Sequence, residues 1–407
     1  MINAASMPGR YFALLVVLVT ALFASGCAAP QATAVSNELP FDQAVTAATD
    51  GLVSQTQRLP GFLSQVVTQV ESKLAKRGIV LDPMLDAGTG QQTEATRLLE
   101  RSVTERITAK FSALEILPFR NVNLARAQYL LTGTMTRVQA DRPKSPYRIN
   151  LALTDLKTAT VVAQAYAIAR DDGLDTTPLP YYRDSPVLVK DKVIEGYVRT
   201  TATSPGQLAD KAYLERISVA TLIDEATTLY NAERYQDSLA QYRSALATAQ
   251  GEQLRVVNGI YLTNMKLGRQ ADAEQAFGKV VTLGIAYNQL GVKFLFNPGG
   301  TEFWPDPKIS GPYVMWLRQI ARAATSAKVC MDVVGHTSHT GSESLNDALS
   351  LQRAAYVKQR LAGEEPELAG KTKAQGMGFR QNIVGSGTDN LVDALDRRVE
   401  FRIVPCG

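Results

Sequence analysis

The stretch Gly335-His336-Thr337-Ser338-His339-Thr340-Gly341-Ser342, followed by Asn346-Asp347-Ala348-Leu349-Ser350-Leu351-Gln352-Arg353-Ala354-Ala355-Tyr356-Val357, decides how the C-terminal part of this 407-residue chain is read. It continues a strand-like run, Val329–Val334, and opens a helix predicted from Glu343 to Ala362 with Ser342 as N-cap. Asn346, Ser350 and Arg353 follow one another by four and three residues, so they share one helical face. That face begins beside a helix N-terminus, whose unbonded N–H groups favour an anion. An Arg guanidinium there can grip a carboxylate through two parallel bonds. Upstream, Val292–Phe296 reads as a strand. Pro312–Thr325 reads as a helix with Val314, Leu317, Ile320 and Ala324 on one side. Downstream, Lys371–Gly376 and Arg398–Val404 read as strands. The order over residues 290–407 is β-α-β-α-β-β.

These residues closely resemble the OmpA-like peptidoglycan-binding domain, whose signature reads GHTD-x-x-G, then N-x-x-L-S-x-x-R-A-x-x-V. Gly376, Gly378 and Arg397-Arg398-Val399-Glu400 are similar to the end of that family. The resemblance implies a ligand, the diaminopimelate of the peptidoglycan stem peptide, and a site made of Arg353, Asn346, Ser338, Thr337, Ser350 and Arg397. Diaminopimelate is zwitterionic at its side-chain end, so its reader needs a cation and an anion. Arg353 supplies the cation. Where the family carries Asp, this chain has Ser338, and the Ser338–Arg353 spacing is that of the family pair. Removing one partner of a desolvated charged pair typically costs about 2–5 kcal/mol. Either affinity is weak or another carboxylate fills in, Asp389 and Asp393 being the candidates; a degenerate domain without ligand is the bland alternative. Asp396 stands where the family usually has Asn.

The chain carries two His, His336 and His339, and three Cys, so a multi-His or Cys₄ zinc site is excluded. A Ser-His-Asp enzyme would have to draw its base from that one short stretch. His336 is read as a loop-fixing residue. No catalytic residue, metal or cofactor is expected, and the chain is not read as an enzyme. Forty-three basic against 39 acidic residues leave a net charge of +4, too little for a nucleic-acid binder.

Working toward the N-terminus, residues 211–287 read as helices that repeat. Arg234 and Arg269 are 35 apart, as are Tyr242 and Phe277. The pattern resembles tetratricopeptide repeats, the alternative being a plain helical bundle. Two units are few for such an array, so they are expected to lean on a neighbour. Residues 171–210, with Pro178, Pro180, Pro186 and Pro205 and little periodicity, read as a linker packed along its neighbours.

Residues 41–170 read as an α+β interaction domain. A helical pattern over 41–76, interrupted at Pro60, presents Phe62, Val66, Val67, Val70 and Leu74. Gly78–Asp86 is a strand entering a loop. Gln91–Phe111 is a helix burying Leu98, Leu99, Val103, Ile107 and Phe111. Leu114–Phe119 and Gln128–Val138 are strands, and Tyr147–Leu156 with Thr160–Arg170 form a hairpin. Val80-Leu81-Asp82-Pro83, Tyr129-Leu130-Leu131-Thr132-Gly133 and the Leu151–Thr160 hairpin edge resemble the domain shared by CsgG-like, FlgO-like and penicillin-binding-protein-activator lipoproteins. That resemblance implies a protein-interaction module; Asp82 and Asp86 are read as loop caps rather than a catalytic carboxylate pair. The fold class is therefore α+β multidomain.

Arg10 is the only charge before the apolar run Tyr11–Phe23, which is shorter than the roughly 20 residues a spanning helix needs. Residues 1–26 fit a signal peptide. Ala24-Ser25-Gly26-Cys27 resembles a bacterial lipobox, with Ala24 where Leu is commoner; an ordinary secretory signal with an incidental Cys27 is the alternative. The resemblance implies lipidation of Cys27, with thioether-linked and N-terminal acyl chains such as palmitate. Ala28 rather than Asp follows, which implies sorting to the outer membrane, facing the periplasm. Residues 27–40 are small and polar and read as a lipidated tether, residues 28–40 reaching roughly 45 Å if extended. With Cys27 acylated in an oxidising compartment, Cys330 and Cys406 are expected to form a disulfide, the alternative being two buried free thiols.

The expected function is an outer-membrane lipoprotein that binds peptidoglycan, tethers the membrane to the wall and recruits an envelope protein partner. The alternative is a periplasmic regulator or assembly factor with a degenerate wall-binding domain. Cys27→Ala should release the chain from membranes. Retention of the variant in the outer-membrane fraction after a salt wash contradicts the lipid anchor.

Overall fold

The computed structural model describes residues 33–56, 76–138, 145–297, 299–387 and 392–406. The expected leader 1–26, the lipidated Cys27, the run from Pro60 to Leu74 and Asp389 lie outside these residues. No helix of the described residues is long and apolar enough to cross a membrane.

The N-terminal sheet has seven strands among the described residues: β1 (Thr33–Leu39), β2 (Arg77–Leu81), β3 (Leu85–Asp86), β4 (Leu114–Leu117), β5 (Tyr129–Arg137), β6 (Tyr147–Asp155) and β7 (Thr160–Ala169). Their order is β1-β7-β6-β5-β2-β4, with β3 also on β5. The expected hairpin is present, Tyr147 facing Ala169 and Asp155 facing Thr160. β1 corrects the tether: Thr33–Leu39 pairs in parallel with β7, from Thr33 opposite Ala165 to Leu39 opposite Ala169. An open β7 edge would leave a row of unpaired amides, and this extended, partly β-branched stretch satisfies them.

Helices α1 (Phe41–Thr56) and α2 (Glu94–Lys110) cover one sheet face. Thr93 and Thr96 close a capping box at the start of α2, the Thr96 N–H donating to Thr93 Oγ1 at 3.2 Å. Leu99, Val103 and Ile107 are buried as expected, but Leu98 is 36% exposed, because it falls off the stripe that meets the sheet. A four-residue turn of helix, α3 (Asn121–Leu124), leads from β4 to β5.

The expected linker is a structural wedge. It contains α4 (Pro180–Asp184) and α5 (Lys192–Ala202), whose N-terminus is capped by Asp191 accepting from Val193 N (3.0 Å) and Ile194 N (3.1 Å). Val193, Ile194 and Tyr197 pack on Val80 and Leu130 and so cover the second face of the N-terminal sheet. The wedge binds in three directions. Toward the N-terminal sheet, the Leu179 N–H donates to the Gln92 carbonyl (3.0 Å), and Lys190 donates to the carbonyls of Ala87 (2.8 Å) and Gly88 (2.9 Å). Toward the helices that follow, Tyr181 N–H donates to Asn231 Oδ1 (2.9 Å) and its hydroxyl to the Arg255 carbonyl (2.7 Å). Toward the C-terminal sheet, Leu188 N–H donates to Gly291 O and Lys293 N–H to Pro186 O (2.8 Å).

A short α6 (Lys211–Leu214) precedes four longer helices: α7 (Ile217–Asn231), α8 (Tyr235–Leu246), α9 (Leu254–Lys266) and α10 (Gln270–Ala286). Each packs on the next, and Tyr242 and Phe277, the 35-residue pair, are both wholly buried. α8 and α9 approach closely because Gly259 has no side chain: a Cβ there would lie 2.3 Å from the Tyr242 ring. These helices do lean on a neighbour. The Trp316 indole N–H donates to Tyr261 Oη at 2.8 Å and its ring stacks on Phe277 at 5.6 Å. One apolar core runs from Leu179 through the helices to Phe401.

The C-terminal part contains β8 (Leu290–Lys293), α11 (Pro307–Ser310), α12 (Tyr313–Ser326), β9 (Cys330–Gly335), α13 (Glu343–Glu364), α14 (Leu368–Lys371), β10 (Thr372–Gly376) and β11 (Arg398–Val404). The sheet order is β10-β9-β11-β8, with β10 parallel to β9 and β11 antiparallel to both neighbours. β8 is shorter than the expected Val292–Phe296, since the chain leaves the sheet after Lys293. Leu317, Ile320 and Ala324 are buried on α12, whereas Val314 is 49% exposed. Cys330 and Cys406 form a disulfide with Cα atoms 5.2 Å apart, joining the start of β9 to the chain end just past β11.

Where sheet, wedge and helices meet, Asp82 is buried and takes a hydrogen bond from the Tyr213 hydroxyl, so it is no loop cap. Burial pushes its carboxyl up from 3.8 to about 7, with Tyr213 and Arg255 pulling it down and Glu100 adding to the rise. Asp224 on α7 is pushed up to about 8, first by burial and then by Asp82 and Glu100, with Arg120 and Arg255 opposing. Both groups hold their proton more tightly in the folded chain than in the unfolded one. Their contribution to stability is therefore complete below about pH 4 and lost as pH rises through about 7 to 8. The thermal midpoint should fall as pH rises from about 4 to about 8. Asp82→Asn, which still accepts from Tyr213, should remove much of that fall; an unchanged pH dependence in the variant contradicts the assignment.

Candidate ligand-binding site

The site grows from the point where β9 ends against α13. A Cβ on Gly335 would lie 2.1 Å from the Ser350 carbonyl, so the absence of a side chain sets the strand-to-helix distance. Residues 336–342 then cross to α13, and Ser342 caps it, accepting from Leu345 N at 3.4 Å. Asn346 Nδ2 donates to the carbonyls of Thr340 (2.6 Å) and Ser342 (3.0 Å), which folds the loop back on the helix. Ser350 Oγ donates to Asp347 O (3.0 Å) and accepts from Gly378 N (2.9 Å), tying in the loop after β10. Thr337 N–H donates to Gly378 O (3.0 Å), while the Thr337 hydroxyl is buried without a partner among the described residues.

Thr337, Ser338, Asn346, Ser350 and Arg353 are all buried. Gly378 links Thr337 to Ser350, and Asn346 holds Thr340, whose N–H donates to Ser338 O at 2.9 Å. Arg353 is only 6% exposed, so the helical face it shares with Asn346 and Ser350 is turned inward. Its Nε donates to Gly300 O at 3.1 Å, its Nη2 donates to Asn297 O at 3.2 Å, and its guanidinium lies 4.8 Å from the centre of the Phe296 ring. The loop after β8 is thus one wall of the site. The sequence pattern missed it because Phe296-Asn297 and Gly299-Gly300 carry no periodicity, although two glycines beside an aromatic residue were a signal for close backbone approach.

Arg397 is half-buried just before β11. Its neighbour Arg398 enters a charged cluster that the sequence did not single out. Arg398 Nη2 meets Glu400 Oε1 at 2.5 Å, and Arg402 Nη2 meets Glu400 Oε2 at 2.7 Å. Glu400 is held well below the usual carboxylate range, its burial outweighed by His336, Arg398 and Arg402. His336 Nε2 stands 3.5 Å from Glu400 Oε2, and burial lowers the imidazole's affinity for a proton. No group of His, Cys, Asp and Glu among the described residues is arranged to hold a metal ion.

Of the two acidic candidates for the missing anion, Asp389 lies outside the described residues. Asp393 is buried and accepts from Ser386 N at 3.0 Å. Asp396 accepts from three successive amides, Ile383 (2.7 Å), Val384 (3.0 Å) and Gly385 (2.8 Å). A carboxylate with several backbone donors suits such a nest better than an amide side chain, which rationalises Asp at this position.

No family model matches the chain. Over 79 residues, 17% of the chain, it is 40% identical to outer membrane protein A of Shimwellia blattae, covering 32% of that protein. It is 39% identical over 79 residues to outer membrane protein A of Klebsiella pneumoniae, covering 23% of it. The chain thus spans about a third or less of these curated relatives. Among solved structures it is similar to the peptidoglycan-associated lipoprotein of Burkholderia pseudomallei, at 23% identity and a TM-score of 0.23, covering 28% of this chain and 89% of that one. It is likewise similar to a putative MotB-like protein of Desulfovibrio vulgaris, at 20% identity and a TM-score of 0.25, covering 35% of this chain and 97% of that one. The likeness to outer membrane protein A supports the OmpA-like reading.

Proposed function

We propose that this chain is an envelope protein that binds peptidoglycan non-covalently through its C-terminal domain, as a binding protein and not a catalyst. The observation that carries the reading is Arg353, buried at the strand–loop–helix junction and oriented by two carbonyls and an aromatic face. Such a guanidinium is pre-organised for a carboxylate, so little rotamer entropy is lost on binding. The ligand is a stem peptide read through the carboxylate of its diaminopimelate. Ser338 offers the ammonium of that group a neutral acceptor. Lipidated Cys27 anchors the chain in the outer membrane, and the tetratricopeptide-like helices with the N-terminal domain recruit an envelope protein.

The full chain in detergent should co-sediment with purified sacculi. Arg353→Gln should reduce the sedimented fraction by at least tenfold at an unchanged circular dichroism spectrum. Ser338→Asp, which restores an anion opposite the ligand ammonium, should tighten binding several-fold. A folded Arg353→Gln that sediments like the unsubstituted chain refutes the site.

A further inference from the structure

The loop after β10 packs on Thr337, His339 and the first turns of α13 on one side and touches the N-terminal domain on the other. On the site side, Met377 N–H donates to Gly335 O (3.0 Å), and Gly378 is bonded to both Thr337 and Ser350. Arg380 Nη1 pairs with Asp347 at 2.6 Å and Glu343 at 3.2 Å on the first turns of α13. The Phe379 ring lies 4.2 Å from that of His339. Oriented to satisfy both neighbours, the Asn382 amide donates to Thr337 O (2.8 Å) and accepts from His339 N (3.2 Å).

The very next residues meet the N-terminal domain. A Cβ on Gly88 would lie 3.4 Å from the Ile383 carbonyl. Ile383, Val384 and Val392 close one side of a cavity of about 90 Å³, and Thr89, Met135 and Tyr147 line the other. The Tyr147 hydroxyl is buried without a hydrogen-bond partner among the described residues. The turn itself is stiff. Asp86 Oδ1 accepts from Thr89 N (2.7 Å) and Thr89 Oγ1 (2.9 Å), and Lys190 holds the Ala87 and Gly88 carbonyls. The loop is stiff too, because Asp396 gathers the amides of Ile383, Val384 and Gly385. A displacement at Thr337–His339 therefore reaches Ile383 through a single residue, Asn382. A partly empty, under-bonded contact between two stiff pieces has room for a second arrangement.

We infer that the Asp86–Gly90 turn of the N-terminal domain reads the occupancy of the Arg353 site through residues 377–384. This rests on the ligand reading above. A ligand seated among Thr337, Ser338 and Arg353 fixes the loop, and the fixed loop holds the turn. The N-terminal domain thus presents a different surface dynamics to its partner when the wall is bound. Such coupling is reciprocal: whatever perturbs the turn must change ligand affinity by the factor with which ligand changes the turn.

The test uses the full chain in detergent and a soluble disaccharide tetrapeptide containing diaminopimelate. Saturating muropeptide should slow hydrogen exchange of amides in residues 84–93 at least threefold. Gly88→Trp, which wedges the turn away from Ile383, should weaken muropeptide binding at least threefold at an unchanged thermal midpoint. If muropeptide binds and either response is missing, the coupling is wrong while the ligand reading stands. If the unsubstituted chain binds no muropeptide, both fall.

Discussion

Residues 178–197 must satisfy their buried polar groups against three different bodies at once, and the rest of the structure is arranged around that constraint. Tyr181, Tyr182 and Tyr197 are all but fully buried, so each hydroxyl and nearby amide needs a protein partner. Tyr197 Oη accepts from Gly133 N (2.9 Å) and lies 2.8 Å from Gly133 O and 3.0 Å from Pro83 O. On the other side, the Lys293 ammonium reaches the Arg183 carbonyl at 3.1 Å, and burial lowers its pKa to about 8. A buried polar group left unsatisfied costs about 1–3 kcal/mol, so pulling any one body from the wedge exposes several such costs together. Apolar packing acts in the same direction, since the core that begins at Leu179 ends at Phe401 in the last strand. The Arg353 region and the N-terminal turn are consequently carried on one body, which two beads on a flexible string would not be.

Much of the C-terminal part was legible in the sequence because glycines, a cap and a helical face stand at short fixed spacings there. Gly335, Ser342 and Asn346 act locally, within one strand–loop–helix unit. What could not be read is what depends on distant chain. Arg353 faces inward because Asn297 and Gly300, more than fifty residues earlier, lie over it. Thr33–Leu39 looked like a tether because its composition cannot bury a core; as an edge strand it needs only hydrogen bonds, which composition does not encode. The wedge was hidden in another way. Prolines break its apolar residues into runs too short for periodicity, although Asp191 before Val193-Ile194 and Tyr197 was a cap followed by an amphipathic turn.

The charge pattern of the site shows how far a likeness in sequence carries chemistry. Ser338 stands where the resembled family has an anion, and Asp396 stands where it usually has Asn, but the Asp396 oxygens are committed to the amides of residues 383–385. Asp393 is likewise engaged by Ser386. The cationic half of the site is therefore built into the fold by backbone carbonyls and an aromatic ring, whereas the anionic half is reduced to a hydroxyl. Under the proposed function, a neutral acceptor discriminates less between an ammonium and an uncharged donor, so selectivity would rest chiefly on the ligand carboxylate.

The wedge welds the N-terminal sheet, the helices and the C-terminal domain into one body. Scanning calorimetry of the full chain tests it directly. One cooperative transition, with a calorimetric enthalpy equal to the van't Hoff value, is the predicted result. Two or more resolved transitions, with the C-terminal domain melting separately from residues 178–197, would contradict it.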